Sequence, residues 1–285
     1  LMDNIYERRI NTLIAKIASL RVLKVSDISV SIADGKQGET SPNPKALWSA
    51  FNKKRFLYEK EKYYWFKGVV DVPKLKRNEK AYIFVQPTCL GGFSLESPFC
   101  SRPQGLVYLN KKPVQAIDMN HYDVLVSPGK YDFLFNLYTH IFPSNTVLPI
   151  NFGVKVVDKD IDEFFYDIAV PTMYMNILKR DDKNYLAMLE VINKTLNLID
   201  FREPYSKEFY ESITSAKTYL KTNFYDSMCG KKTDATIACL PQTHIDVAWL
   251  WDYDITKEKT ERSFTTVLKL MEEYPEYKFF SSTPQ

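Results

Sequence analysis

His244 and Asp246 stand two residues apart in the segment Pro241-Gln-Thr-His-Ile-Asp-Val-Ala-Trp-Leu-Trp-Asp252. In extended backbone, residues at that spacing point to the same side. An imidazole nitrogen beside a carboxylate oxygen supplies half of the four donors that a zinc ion takes. Alone, the pair has a plainer explanation, an ordinary His–Asp hydrogen bond. Its neighbours bear on the choice. Trp249 and Trp251 follow closely, and an indole face offers a flat apolar platform for a sugar ring. One of the two indoles is expected in the core.

The elements around this loop must hold it. Ala235 to Leu240 is an apolar run short enough for a buried strand. In α/β folds, ligands bind beyond the carboxyl ends of such strands. After the loop, Phe264, Val267, Leu268 and Met271 repeat at helical spacing and give one apolar face. Asp254 or Thr256 is suited to cap that helix. Glu258 and Arg262 form an i, i+4 pair in the favourable order, and Pro275 ends the helix. Lys278 to Ser282 then reads as a strand. Strand, ligand loop, helix and strand together make the opening βαβ unit of an α/β barrel.

Upstream, residues 3 to 20 read as an amphipathic helix with Ile10, Leu13, Ile14 and Ile17 on one face. Residues 34 to 46 are rich in Gly, Ser and Pro and mark a loop or linker. From about 56 to 170 the pattern is one of short apolar or alternating runs. They are Tyr63 to Val72, Ala81 to Gln86, Gly105 to Leu109, Val124 to Val126, Tyr131 to Tyr138 and Phe152 to Val157. Consecutive strands without intervening helices predict an antiparallel sandwich. Helical periodicity returns after residue 182 in two segments broken at Arg202 to Pro204. The fold class expected is therefore multidomain α+β. The spans are an N-terminal helical region (1–50), a β-sandwich accessory domain (51–180), a helical linker (181–230) and a truncated barrel start (231–285).

The chain has 38 basic and 35 acidic residues, a formal net charge of +3. The basic clusters, Lys53 to Arg55 and Lys74 to Arg77, are short, so no nucleic-acid footprint is expected. No apolar run is long enough for a transmembrane helix, and Leu1 to Leu20 lacks the apolar centre of a signal peptide. A cytoplasmic protein without a membrane partner is expected, and a homo-oligomer is compatible with the sequence. Cys89, Cys100, Cys229 and Cys239 include no CxxC and read as buried free thiols. His121, in a likely turn, and His140, after a strand, read as surface or sandwich-edge residues. Asp160 and Asp162 read as a solvated acidic turn in preference to a calcium or magnesium site.

Thr243-His-Ile-Asp-Val-Ala-Trp-Leu-Trp251, followed by Lys257-Glu-Lys259, Arg262-Ser-Phe264 and Leu270 to Tyr277, resembles the start of the catalytic domain of glycoside hydrolase family 38, the α-mannosidases. The resemblance covers roughly residues 235 to 285. Upstream, Gly105-Leu-Val-Tyr-Leu-Asn110 and Ile117-Asp118 are similar in layout to the sandwich that precedes catalysis in bacterial members. It implies zinc as cofactor, with His244 and Asp246 as ligands. Trp249 would be the platform under the mannose ring, and a mannose-containing oligosaccharide the substrate. It implies a retaining mechanism through a covalent glycosyl-enzyme, with a second carboxyl acting as acid and then base. Gln242 stands where many members have His, and no ligand role is expected of it. The family's nucleophile, acid/base and remaining ligands fall beyond residue 285, so no catalytic residue is expected within this chain. The fragment alone is expected to be inactive. Two alternatives are a carbohydrate-binding sandwich module and another zinc-dependent sugar hydrolase, such as a deacetylase.

Overall fold

The structure, a computed structural model, describes residues 5–52, 59, 61–87, 103–118, 121–139, 150–229, 238–249 and 251–282. Among them the architecture is α+β, with two antiparallel sheets and five α-helices. Helix α1 (Ile5–Leu20) leads into strands β1 (Val22–Asp27), β2 (Val30–Gly35) and β3 (Ser49–Ala50). Then come β4 (Tyr63–Val72), β5 (Glu79–Pro87), β6 (Gln104–Leu109), β7 (Lys112–Ile117), β8 (Asp123–Val126), β9 (Gly129–Tyr138) and β10 (Ile150–Asp158). Helices α2 (Lys159–Ile177), α3 (Lys183–Asn197) and α4 (Lys207–Leu220) follow, then a π-helical segment (Lys221–Cys229) and α5 (Tyr253–Glu273). None of the described helices is long and apolar enough to cross a membrane.

The chain divides into two compact units. The first comprises Leu1–Lys24, Leu75–Lys80 and Val156–Ile237; the second comprises Val25–Lys74, Ala81–Lys155 and Ala238–Gln285. In the first unit, the apolar stripes of α1 to α4 bury one another. Ile10, Ile17, Phe164, Ile192, Phe209 and Ile213 meet in one core. Each such side chain contributes about 1.5–3 kcal/mol of burial. Asp158, fully buried, is the N-cap of α2. Its carboxylate accepts from the Ile161 amide at 3.0 Å, Asn78 Nδ2 at 3.1 Å and the Tyr210 hydroxyl at 2.7 Å.

Helix α2 lies inside the stretch where alternation predicts strands. The acidic run that reads as a turn is its beginning: Asp160 and Asp162 occupy the first turn, where negative charge meets the positive helix end. Asp162 also holds Arg21 at 2.6 Å. Strands β1 and β2, in the stretch read as helical, and β7 were not expected either.

In the second unit, the sheets run β1-β10-β5-β8 and β3-β2-β4-β9-β6-β7. On β9 the expected alternation holds, with Phe133, Phe135 and Leu137 buried. Phe152 of β10 fills the space against the second sheet. Its ring lies 5.0 Å from Phe66, 6.1 Å from Phe133 and 6.2 Å from Phe135. This aromatic layer is sandwich-like packing. At Gly105 on β6, an added Cβ would come 2.3 Å from the Phe135 ring and 2.4 Å from the Asn136 carbonyl, so only glycine fits that close approach.

The opposite face of the second sheet is covered too, which is why β4 is buried at Tyr63, Tyr64, Trp65 and Phe66 alike. Trp65, Leu106 and Tyr108 form a small cluster there, and α5 lies on this face. The Tyr63 hydroxyl donates to Glu258 at 3.0 Å, and the Ala116 amide donates to the Thr266 hydroxyl at 3.0 Å. Helix α5 itself forms as its periodicity predicts. Among the described residues its flanking segments meet in one parallel bridge, Gln242 to Phe280, and residues 235–237 of the first expected strand lie outside the described residues. Leu240 and Phe280 are exposed.

Candidate functional site

The site is built on the loop before α5. Its helix begins at Asp252, whose carboxylate accepts from the Ile255 amide at 2.8 Å. Asp252 is thus the cap, and the two candidates read from sequence, Asp254 and Thr256, lie inside the helix. Bonds from the Ile255 amide and then from Gln37 hold the Asp252 carboxyl below the usual carboxylate range.

His244 Nε2 and Asp246 Oδ1 lie 3.1 Å apart. Their side chains are 71% and 45% exposed, so both face open solvent and not a dry interior. Among the described residues no group of three or more His, Cys, Asp or Glu is placed to hold one metal ion. The pair therefore stands as two donors of a kind zinc accepts.

Trp249 is half exposed and meets Trp251 edge to face at 5.7 Å. Trp251 is the more enclosed indole. Lys259 Nζ sits 4.3 Å over its ring, and burial, then the charge of Arg262, depresses the Lys259 amine. His244, Thr243, Gln104, Lys259 and the Asp118–His121 pair line one cavity of about 360 Å³. His121 Nδ1 lies 2.9 Å from Asp118 Oδ1. The hydrogen bond to that carboxylate raises the His121 pKa, and partial burial opposes the shift. His140 lies outside the described residues, as do Cys89 and Cys100. Cys229 and Cys239 are free and exposed. That corrects the expectation of buried thiols: the first closes the π-helical segment at the surface, and the second lies in the open approach to the loop.

Two contributors escaped sequence reasoning. Arg262 and Glu258 read only as an i, i+4 pair on the helix, yet Arg262 is buried and Glu258 nearly so where α5 meets the sheet. Arg262 Nη1 lies 3.5 Å from Glu258 Oε2, and Arg262 Nη2 lies 3.3 Å from Gln104 Oε1. Glu258 also accepts from the Gly38 amide at 2.9 Å. Thr256, read only as a possible cap, bonds back to the loop. The helical pattern carries no mark for either role, because the pair depends on which sheet the helix meets and Thr256 on how the preceding loop folds back.

The comparisons agree with the sequence pattern. Residues 234–285 match the Glycosyl hydrolases family 38 N-terminal domain. The chain is 23% identical over 252 residues to "Alpha-mannosidase G" of Dictyostelium discoideum, covering 78% of this chain and 21% of that protein. It is 29% identical over 132 residues to "Alpha-mannosidase 2C1" of Homo sapiens, covering 46% of this chain and 12% of the relative. Against "Alpha-mannosidase" of Saccharomyces cerevisiae it is 31% identical over 109 residues, covering 33% and 9%. The chain thus spans about a fifth or less of the length of these relatives. Its segment 234–285, with His244, Asp246 and Trp249 inside it, is similar to the glycosyl hydrolase family 38 N-terminal domain, and the chain as a whole resembles the N-terminal portion of α-mannosidases.

Proposed function

We propose that this chain is the N-terminal part of a zinc-dependent retaining α-mannosidase that hydrolyses terminal α-mannosides of glycans, with residues 231–285 opening its catalytic domain. The observation that carries the reading is the family match over 234–285, which contains the His–Asp pair and Trp249. His244 and Asp246 hold the metal, and Trp249 lies under the mannose ring. The donor set fits: one imidazole nitrogen and one carboxylate oxygen on the same side of the loop, open to further ligands. His244 and Asp246 would hold a zinc ion, and such an ion would supply Lewis-acid chemistry at the sugar. The chain's own residues bind and orient. The indole of Trp249 offers its apolar face to the ring, and α5 fixes the loop against the sheet. The nucleophile and the acid/base are not among these residues, so the chain by itself does not turn over substrate. The protein is cytoplasmic in this reading.

Zinc chloride added to the 285-residue chain is expected to shift the His244 ring signals in an NMR titration, and Asp246→Asn to weaken that response. The chain alone is expected to release no nitrophenol from p-nitrophenyl α-mannoside. A His244 ring indifferent to zinc overturns the metal assignment, and turnover by the isolated chain overturns the division of the catalytic machinery.

A further inference from the structure

The hydroxyl of Thr256 sits where three pieces of the candidate site meet. Thr256 lies one turn into α5 and is 9% exposed. Trp251 Nε1 donates to its Oγ1 at 3.0 Å. Its own proton has three backbone carbonyls within reach: Val247, the nearest, Asp252 at 3.2 Å and Asp246 at 3.4 Å.

A hydroxyl has one proton to give and two lone pairs to receive with. Within a helix, a threonine ordinarily spends that proton on the carbonyl four residues back. Thr260 and Thr266 do so, each at 2.9 Å. Thr256 shares the Asp252 contact but also lies against the carbonyls of Val247 and Asp246, outside the helix. The group that receives the indole proton thus also grips the backbone next to Asp246, whose carboxylate faces His244. The helix end that carries Thr256 is itself anchored through Glu258 to the Tyr63 hydroxyl and the Gly38 amide. A loop held only by its own chain would sample many arrangements of its two donors; one tied at its middle to a fixed helix samples few.

We propose that Thr256 is a positioning residue: its hydroxyl ties the backbone at Asp246 and Val247 and the Trp251 indole to α5, and so sets the placement of Asp246 beside His244 and the orientation of Trp251. The inference rests on the reading of His244 and Asp246 as zinc donors.

The test uses the 285-residue chain, zinc chloride as the probe, and two NMR readouts: the His244 ring signals and the solvent exchange of the Trp251 indole proton. Thr256→Val keeps the shape and removes the hydroxyl. It is expected to weaken zinc binding about tenfold, the scale of a lost outer contact to a metal ligand, and to speed indole exchange. Thr256→Ser keeps the hydroxyl and is expected to restore both. Should the valine variant not fold, Thr256→Ala carries the same comparison. Zinc binding unchanged in the valine variant overturns the clamp. So does a serine variant as weak as the valine one, which would assign the effect to packing of the methyl group. If the wild-type chain takes up no zinc at His244, the metal reading falls by itself. The indole proton then decides the clamp, and exchange as slow in the valine variant as in wild type overturns it.

Discussion

Replacing Glu258 by glutamine tests how α5 is held on the sheet. The substitution keeps the size of the side chain and removes its charge. Arg262 then loses its nearest counter-charge, at 3.5 Å, in a position where its side chain is 10% exposed. Burial pulls the Arg262 pKa down, with Glu258 the first group opposing it, yet a guanidinium stays protonated. At an effective dielectric constant of about 20, two unit charges at that separation attract by about 5 kcal/mol. Part of this is recovered. Glu261 stands next to Arg262 on the helix, and the new amide can keep its oxygen on the Gly38 N–H and turn its NH2 to the Tyr63 hydroxyl, which then accepts. Breaking one side of a buried pair costs about 3–5 kcal/mol in general, and the compensation here places Glu258→Gln near the lower end, about 3 kcal/mol. Arg262→Met in the same background is expected to recover part of that loss, since it removes the stranded charge. The assay is urea unfolding followed by tryptophan emission. All four tryptophans, Trp48, Trp65, Trp249 and Trp251, belong to the second unit, so the signal reports the unit that contains α5. A Glu258→Gln variant within about 0.5 kcal/mol of wild type, the range of an ordinary surface change, would refute the claim that this pair is buried and fastens the helix.

Two further outcomes are expected. Asp158→Ala removes the cap of α2 and leaves Asn78 and Tyr210 without their shared acceptor; thermal unfolding followed by helical circular dichroism should show a loss of about 3 kcal/mol, cap and stranded donors together, and a loss under about 1 kcal/mol, no more than a cap alone, would show that the three-donor arrangement does not hold. His121, whose folded pKa is raised by Asp118, should titrate above the ordinary 6.5 in an NMR pH series, and Asp118→Asn should bring its midpoint down. Because the folded value is the higher one, the pair's stabilisation is fully present below about 6.5 and is lost as pH rises through the folded value; the half-exposed ring keeps the effect small. A midpoint at or below the ordinary histidine value contradicts the contact.

The sequence carried local periodicity and local chemistry. Phe133, Phe135 and Leu137 alternate because a strand buries every second residue, and the face of α5 repeats because a helix turns in 3.6 residues. Two residues of extended backbone suffice to set His244 and Asp246 side by side, so that pair was legible before any fold was known. What the sequence left undecided depends on distant neighbours. The Asp160 to Asp162 run reads as a turn until the Asp158 carboxylate meets Asn78 and Tyr210 and becomes the cap of a helix that buries one face. Glu258 and Arg262 read only as an i, i+4 pair, because that spacing is the same on a wet face and on a dry one. Only the sheet brought against α5, with Tyr63, Gln104 and Gly38 at the contact, turned that pair into an anchor. A side chain's donors and charge are written in its residue type. Whether water or protein answers them is settled by which surfaces the chain brings together, and that is a property of the tertiary structure alone.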